Sequence, residues 1–244
     1  SGKMAYYKET VTYGNFVDVK FYHTLRQYSD APKERRPTFR ETPPSQQEVN
    51  RRNAIERLRR LLCCNFQKGD LHVQLKYIRK KGEPYRTAEE MKKDISKFHR
   101  DMRAEYRKKG IEYKYIHVME IGERGARHHH IVLNYIDPRI IQKHWPFARV
   151  TFTPLDGGDY RKLGAYLIKQ TDARFRSKEL MKQRYNCSKG LKKPTVKKEK
   201  ITRAKSFKRQ PRALKGYRIM NGSESGGVDY FGHIFFKYTM VKIE

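Results

Sequence analysis

The stretch YKYIHVMEIGERGARHHHIVLNY, residues 113–135, decides how this chain folds. Tyr113 to Ile121 and His128 to Tyr135 are each rich in aromatic and β-branched residues. Gly122 and Gly125 fall between them, where a chain reversal needs conformational freedom. The pattern predicts two antiparallel strands. In a strand, residues two apart share a face, so His128 and His130 point one way and His129 the other. Setting Glu120 opposite either His128 or His130 keeps the parity, so its carboxylate falls on the same face in either register. Two imidazoles and a carboxylate then converge on one point. Such a three-donor set leaves positions open for water or a phosphate oxygen, as a catalytic metal requires and a structural one does not. Glu123 is a competing third donor. Nitrogen and oxygen donors together suit Mn²⁺, and Mg²⁺ where phosphate completes the shell.

Working outward, Leu71 to Tyr77 alternates apolar and polar residues, as a half-buried strand does. Thr87-Ala88-Glu89-Glu90 is a capping box that opens a helix with Met91, Ile95, Phe98, Met102 and Tyr106 along one stripe, ending at Gly110. Asp137-Pro138 starts a short helix running to about Trp145. Arg149 to Thr153 reads as a strand, and Asp159 caps a helix to about Thr171. The order strand, helix, strand, strand, helix, strand predicts an α+β fold of split βαβ type, an antiparallel sheet with helices on one face and the other face free for a ligand.

On the last helix, Lys162, Tyr166 and Lys169 share a face at spacings of four and three, with Gln170 beside them. Tyr160 falls with Leu163 and Leu167 on a core-facing side. Phenol is a poor nucleophile near neutral pH, because its reference pKa is ~10. Flanking ammonium groups would favour the phenolate at Tyr166.

Before this region, Phe16 to Tyr22 is a candidate strand and the rest of 4–44 reads as loop. Ser45-Gln46-Gln47-Glu48 is a second capping box, predicting a helix over about 46–64 with Ile55, Leu58, Leu61 and Leu62 on one side and Arg51, Arg52, Arg59 and Arg60 on another. After residue 185 the chain is rich in Lys and Arg with little periodicity until Tyr217, and Tyr230 to Ile243 reads as a strand or hairpin. The expected organisation is an N-terminal extension over 1–66, a central domain over 67–185 and a basic C-terminal extension over 186–244. Ser1 and Gly2 read as an expression scar.

The 244 residues carry 56 Lys and Arg against 26 Asp and Glu, a net charge of +30. That excess exceeds any need of solubility and points to a polyanion, since neutralising phosphates releases condensed counterions. No window approaches 18 apolar residues, so nucleic acid is favoured over a membrane. Three cysteines without CxxC spacing argue for a reducing, cytoplasmic setting and against a disulfide framework. No G-x-x-x-x-G-K-[ST] occurs, so a P-loop helicase is not expected in this chain and a host helicase is the expected partner for strand separation.

Taken in order, Leu71–Tyr77, Glu120–His130 and Tyr166–Lys169 resemble the three motifs of HUH endonucleases, and among them the rolling-circle replication initiators of bacterial plasmids, phages and integrative elements. Tyr166-Leu167-Ile168-Lys169 fits their Y-x-x-K motif. Tyr185-Asn186-Cys187-Ser188 to Pro194 resembles a segment that follows the catalytic region in such initiators. One departure is His129, where the family places an aliphatic residue. The resemblance implies a ferredoxin-like domain in a bacterial protein that nicks single-stranded or hairpin origin DNA. In it Tyr166 would be the nucleophile, leaving a 5′-phosphotyrosine link and a free 3′-hydroxyl; Lys169, assisted by Lys162, would neutralise the phosphate. His128, His130 and Glu120 would hold the metal. Arg51, Arg52, Arg59, Arg60 and Arg127 are the expected DNA contacts. A relaxase or transposase with the same chemistry, a hydrolase in which water attacks, and a non-enzymatic nucleic-acid-binding protein are the competing readings.

Overall fold

In the computed structural model, residues 5–24, 44–122, 125–177, 183–201, 210–228 and 233–243 are described. They form β1 (Ala5–Tyr13), β2 (Phe16–Thr24), α1 (Pro44–Asn65), β3 (Leu71–Lys76), α2 (Ala88–Lys108), β4 (Tyr115–Ile121), β5 (Arg127–Leu133), α3 (Pro138–Lys143), β6 (Thr151–Pro154), α4 (Arg161–Ser177), β7 (Asn186–Cys187), β8 (Thr195–Lys200), β9 (Tyr217–Ile219), β10 (Ser225–Val228) and β11 (Ile234–Lys242). The chain divides into two compact units, Glu48–Lys192 and a second made of Ser1–Gln47 with Lys193–Glu244.

The unit Glu48–Lys192 holds a five-stranded sheet in the order β6-β3-β5-β4-β7. Both β3 and β4 run antiparallel to β5, which lies between them. They are therefore parallel to each other and joined through α2, which is the predicted split βαβ arrangement in an α+β fold. Thr87 and Glu90 form a complete capping box at the start of α2, and Met91, Ile95, Phe98, Met102 and Tyr106 are all buried along its stripe. Asp137 caps α3 by accepting from the Arg139 amide, with Pro138 in the first turn.

Strand parity sorts the sheet's two faces. The odd-numbered side chains Leu71, Val73 and Leu75 of β3 and Ile131 and Leu133 of β5 pack against Ile95, Phe98 and Met102 of α2 and Ile141 of α3. The even-numbered Ile116, Val118 and Val132 meet Leu58 and Leu62 of α1 and Leu167 and Ile168 of α4. That second face is thus partly covered, and what stays reachable is the end carrying Glu120 and His128, both only half-buried. Gly164 makes the α1–α4 crossing close: a Cβ there would stand 3.5 Å from the Arg59 nitrogen and the Ile55 carbonyl oxygen.

The second unit is a six-stranded antiparallel sheet in the order β10-β11-β2-β1-β8, with β9 also pairing β11. Its core is Val17, Val19, Phe236, Tyr238 and Met240. The predicted strand at Phe16–Tyr22 is present as β2, but Ala5–Tyr13, read as loop, is a strand paired along its whole length with β2. Gly14, at φ 54, occupies the two-residue turn between them. β8 pairs with β1, so segments from the two ends of the chain share one sheet. Among the described residues, no helix is long and apolar enough to cross a membrane.

Candidate active site

The register of β4 and β5 sets Glu120 opposite His128, the first of the two pairings that preserve parity. The ligand-capable atoms of Glu120, His128 and His130 all lie within 4.8 Å of one another. Glu120 Oε2 is 2.7 Å from His130 Nε2 and 3.4 Å from His128 Nδ1. Burial pushes the Glu120 carboxyl up, but hydrogen bonds with His128 and His130, and their charge, outweigh it and hold it at about 2. An ionised carboxylate and two imidazoles, one buried and one half-exposed, fit a divalent ion with positions left for substrate. Glu123, the competing third donor, lies outside the described residues.

β3 brings two side chains that the sequence did not single out. His72 Nε2 is 3.3 Å from His130 Nδ1, and the rings lie nearly parallel with centroids 5.5 Å apart. Burial, and secondarily the charge of His130, hold His72 down to about 4. Its ring, held neutral by burial, packs against His130 on the side away from Glu120. Gln74, opposite His130 in the register, donates from Nε2 to the Tyr166 hydroxyl at 3.3 Å.

Tyr166 itself is 37% exposed, and its ring stands edge-on to His130 at 5.4 Å and to His72 at 6.0 Å. The crossing of α4 over the sheet therefore brings the tyrosine to the Glu120–His128–His130 cluster. Its phenol is raised above the ordinary value by burial first and by the Glu120 charge second, against hydrogen bonds from Gln74 and Gln170. The predicted easing of the phenolate by Lys162 and Lys169 is not among these causes. Both lysines are exposed on α4, one helical turn to either side of Tyr166. Tyr160 is buried as expected and takes φ 52, held there by its hydroxyl donating to the Phe66 carbonyl at 3.2 Å.

On the opposite face, His129 is fully buried. Its Nε2 meets the Tyr77 hydroxyl at 2.9 Å and its Nδ1 meets His117 Nε2 at 3.0 Å. Both nitrogens of this buried imidazole therefore find partners.

The five predicted DNA-contacting arginines part company. Arg52 is exposed and Arg51 half-exposed, both within 4 Å of Glu48, and Arg60 is half-buried. Arg59 is 1% exposed, its guanidinium 2.8 Å from Glu56 and 3.9 Å from Asp159, so it belongs to the packing of α1 rather than to the surface. Arg127 donates to the Arg86 and Gly125 carbonyls and lies over the Tyr85 ring, bracing the turn beside the site.

Residues 70–174 match the family model of the replication-associated protein ORF2/G2P. Over this stretch the chain is similar to replication-associated proteins. The match begins just before β3 and ends within α4, so it spans His72, Gln74, Glu120, His128, His130 and Tyr166 and stops short of the six-stranded sheet. No curated protein and no solved structure matches the chain.

Proposed function

We propose that the replication-associated domain is an endonuclease that nicks single-stranded origin DNA and starts rolling-circle replication, with Tyr166 as nucleophile. The observation that carries this reading is the meeting of the Tyr166 ring with the Glu120–His128–His130 donor set. A divalent ion there, Mn²⁺ or Mg²⁺, would supply Lewis-acid polarisation of the scissile phosphate. Gln74 holds the Tyr166 oxygen toward that position, and His72 holds His130. The Tyr166 oxygen forms a bond to phosphorus while the bond from phosphorus to the 3′-oxygen breaks. The phenol proton passes to solvent, the 3′-oxygen takes one up, and a 5′-phosphotyrosine link remains. Because burial and the Glu120 charge raise the free phenol, its ionisation would be favoured by nearby positive charge, from Lys162 and Lys169 or from a divalent ion that Glu120, His128 and His130 would hold. Lys169 and Lys162, exposed on the same helix, are the cations to neutralise phosphate charge during attack.

The test is a denaturing gel of the protein incubated with Mn²⁺ and a library of labelled single-stranded oligonucleotides. A covalent protein–DNA band, absent from Tyr166→Phe while DNA binding persists, is the expected result. Cleavage that survives Tyr166→Phe would instead assign the attack to water and refute the nucleophile.

A further inference from the structure

The six-stranded sheet has a side that neither the family match nor the metal site accounts for. The core side chains Val17, Val19, Phe236, Tyr238 and Met240 share one face, while the other face is buried at its Val11, Tyr13 and Phe16 end. On the other face the registers line up a row across four strands: Lys200 of β8, Tyr7 of β1, Tyr22 of β2 and Phe235 of β11. Tyr7 and Tyr22 are stacked, centroids 5.9 Å apart at 24°. The next row holds Lys20 opposite Lys237, both exposed, and the Lys20 ammonium lies 5.1 Å from the centre of the Tyr22 ring. Its acidic member, Glu9, is engaged by Lys198 at 3.2 Å. The three rings are half-buried rather than sealed. Gly227 of β10 lies opposite Phe235, and a Cβ there would stand 3.5 Å from the Phe235 ring.

A row of aromatic faces at the ~5 Å interstrand spacing beside a row of lysines has a specific chemical complement. Unpaired bases stack on the rings while their phosphates meet the ammonium groups, and the stacking asks for no particular base. Paired bases in a duplex expose no ring face and would use only the charges. We propose that this face of the six-stranded sheet is a second DNA site, which holds single-stranded DNA by stacking on Tyr7, Tyr22 and Phe235 with Lys20, Lys200 and Lys237 on its backbone. It lies outside the matched residues 70–174 and needs neither the metal nor Tyr166. The choice of DNA rests on the replication-associated domain in the same chain.

The experiment measures fluorescence anisotropy of labelled dT20, in EDTA, on the full chain carrying Tyr166→Phe. That background makes the result independent of nicking, so a failure here leaves the nuclease reading untouched and the reverse also holds. Tyr7→Leu with Tyr22→Leu keeps apolar bulk and removes stacking; its affinity for dT20 is expected to fall roughly 10- to 100-fold, with duplex binding unchanged. Lys20, Lys200 and Lys237 changed together to Gln are surface changes that leave the core intact. They should lower the slope of log K against log salt by about 2, at about 0.7 per phosphate contact. The proposal is overturned if the lysine set leaves the slope unchanged. It is likewise overturned if the tyrosine pair, with its unfolding midpoint preserved, lowers single-strand and duplex affinity equally or neither. Tighter binding of U20 RNA than of dT20 would overturn the assignment to DNA.

Discussion

Acidification from pH 7.5 to 5.5 should destabilise the unit Glu48–Lys192 by about 5 to 6 kcal/mol, and four buried histidines are the reason: His72 beside Tyr166, and His99, His117 and His129. His99, His117 and His129 form a buried array on the sheet face opposite the Glu120–His128–His130 cluster. His129 bonds His117 and Tyr77, while His99 bonds the Tyr113 hydroxyl at 2.9 Å and stacks on Tyr115 at 3.9 Å. The Nε2 of His99 is buried with no hydrogen-bond partner among the described residues, so a proton there would have no acceptor. Burial first, and neighbouring positive charge second, hold His99 and His129 to about 3 and His117 well below its ordinary value of 6.5. A histidine neutral in the folded state costs nothing above pH 6.5. Below that value the unfolded chain takes up the proton that the folded one refuses, so stability falls as pH falls. At pH 5.5, still well above the folded values, each contributes a loss of about 1.4 kcal/mol, which with His72 included gives about 5.6 for four. Glu120, depressed to about 2, acts oppositely placed in pH: its contribution is intact above the ordinary carboxylate value and is lost only below it. The window 5.5–7.5 therefore isolates the imidazoles. Trp145, buried 5.6 Å from His129, supplies a fluorescence probe inside this unit. With a urea slope of about 2 kcal/mol/M, the midpoint should drop by about 3 M. A midpoint that stays level across this range would refute the reasoning, as would a dependence left undiminished in His99→Gln.

Four further outcomes follow from the same geometry. Arg59→Ala should destabilise by about 3 kcal/mol, since it leaves Glu56 and Asp159 without their buried cation, and should leave the salt slope of DNA binding unaltered. Exposed Arg52→Ala should cost less than about 0.5 kcal/mol and lower that slope by about 0.7 to 0.9; denaturant titration and anisotropy check both. Gly125→Ala should destabilise by about 1 to 3 kcal/mol in a thermal melt, because Gly125 has φ 82 and a Cβ would stand 2.8 Å from the Tyr85 ring. Glu120→Gln should weaken Mn²⁺ binding in calorimetry by more than the roughly 10- to 100-fold typical of outer-shell changes, while an unchanged affinity would remove Glu120 from the ligand set.

What was legible in the sequence was whatever depends on short separations. The Thr87–Glu90 box, the α2 stripe and the opposed faces of His128, His129 and His130 all follow from periods of 3.6 or 2 within one element. His72 and Gln74 were not legible as site residues. Their partners, His130 and Tyr166, lie 58 and 92 residues away and are reached only through strand register and a helix crossing. Arg59 shows how a composition-based reading goes astray locally. It shares spacings of four and three with Ile55 and Leu62, which is the core stripe, yet its charge suggested the opposite face. The terminal sheet escaped for a third reason: β8, TVKKEK, is exposed on both faces, so no alternation marks it, and its partner β1 lies nearly the whole chain away.

The alternation of β5 has a consequence for how the two faces of this strand can change. His128 and His130 face the candidate metal side, and His129 between them is tied into a polar array on the opposite side. An aliphatic residue at 129 would strand the Nε2 of His117, at a buried-polar penalty of about 1 to 3 kcal/mol, and would take one hydrogen bond from the Tyr77 hydroxyl, which Asp94 also engages. Replacing His117 and Tyr77 as well, by Val and Phe, removes the polar atoms that would be stranded. The single change His129→Val should therefore be more destabilising than the triple change. Because the odd-numbered face carries no metal donor, the triple variant should retain the Mn²⁺ affinity of the parent. If the triple variant folds but loses the metal, the two faces are coupled through the strand, and the separation by parity does not hold.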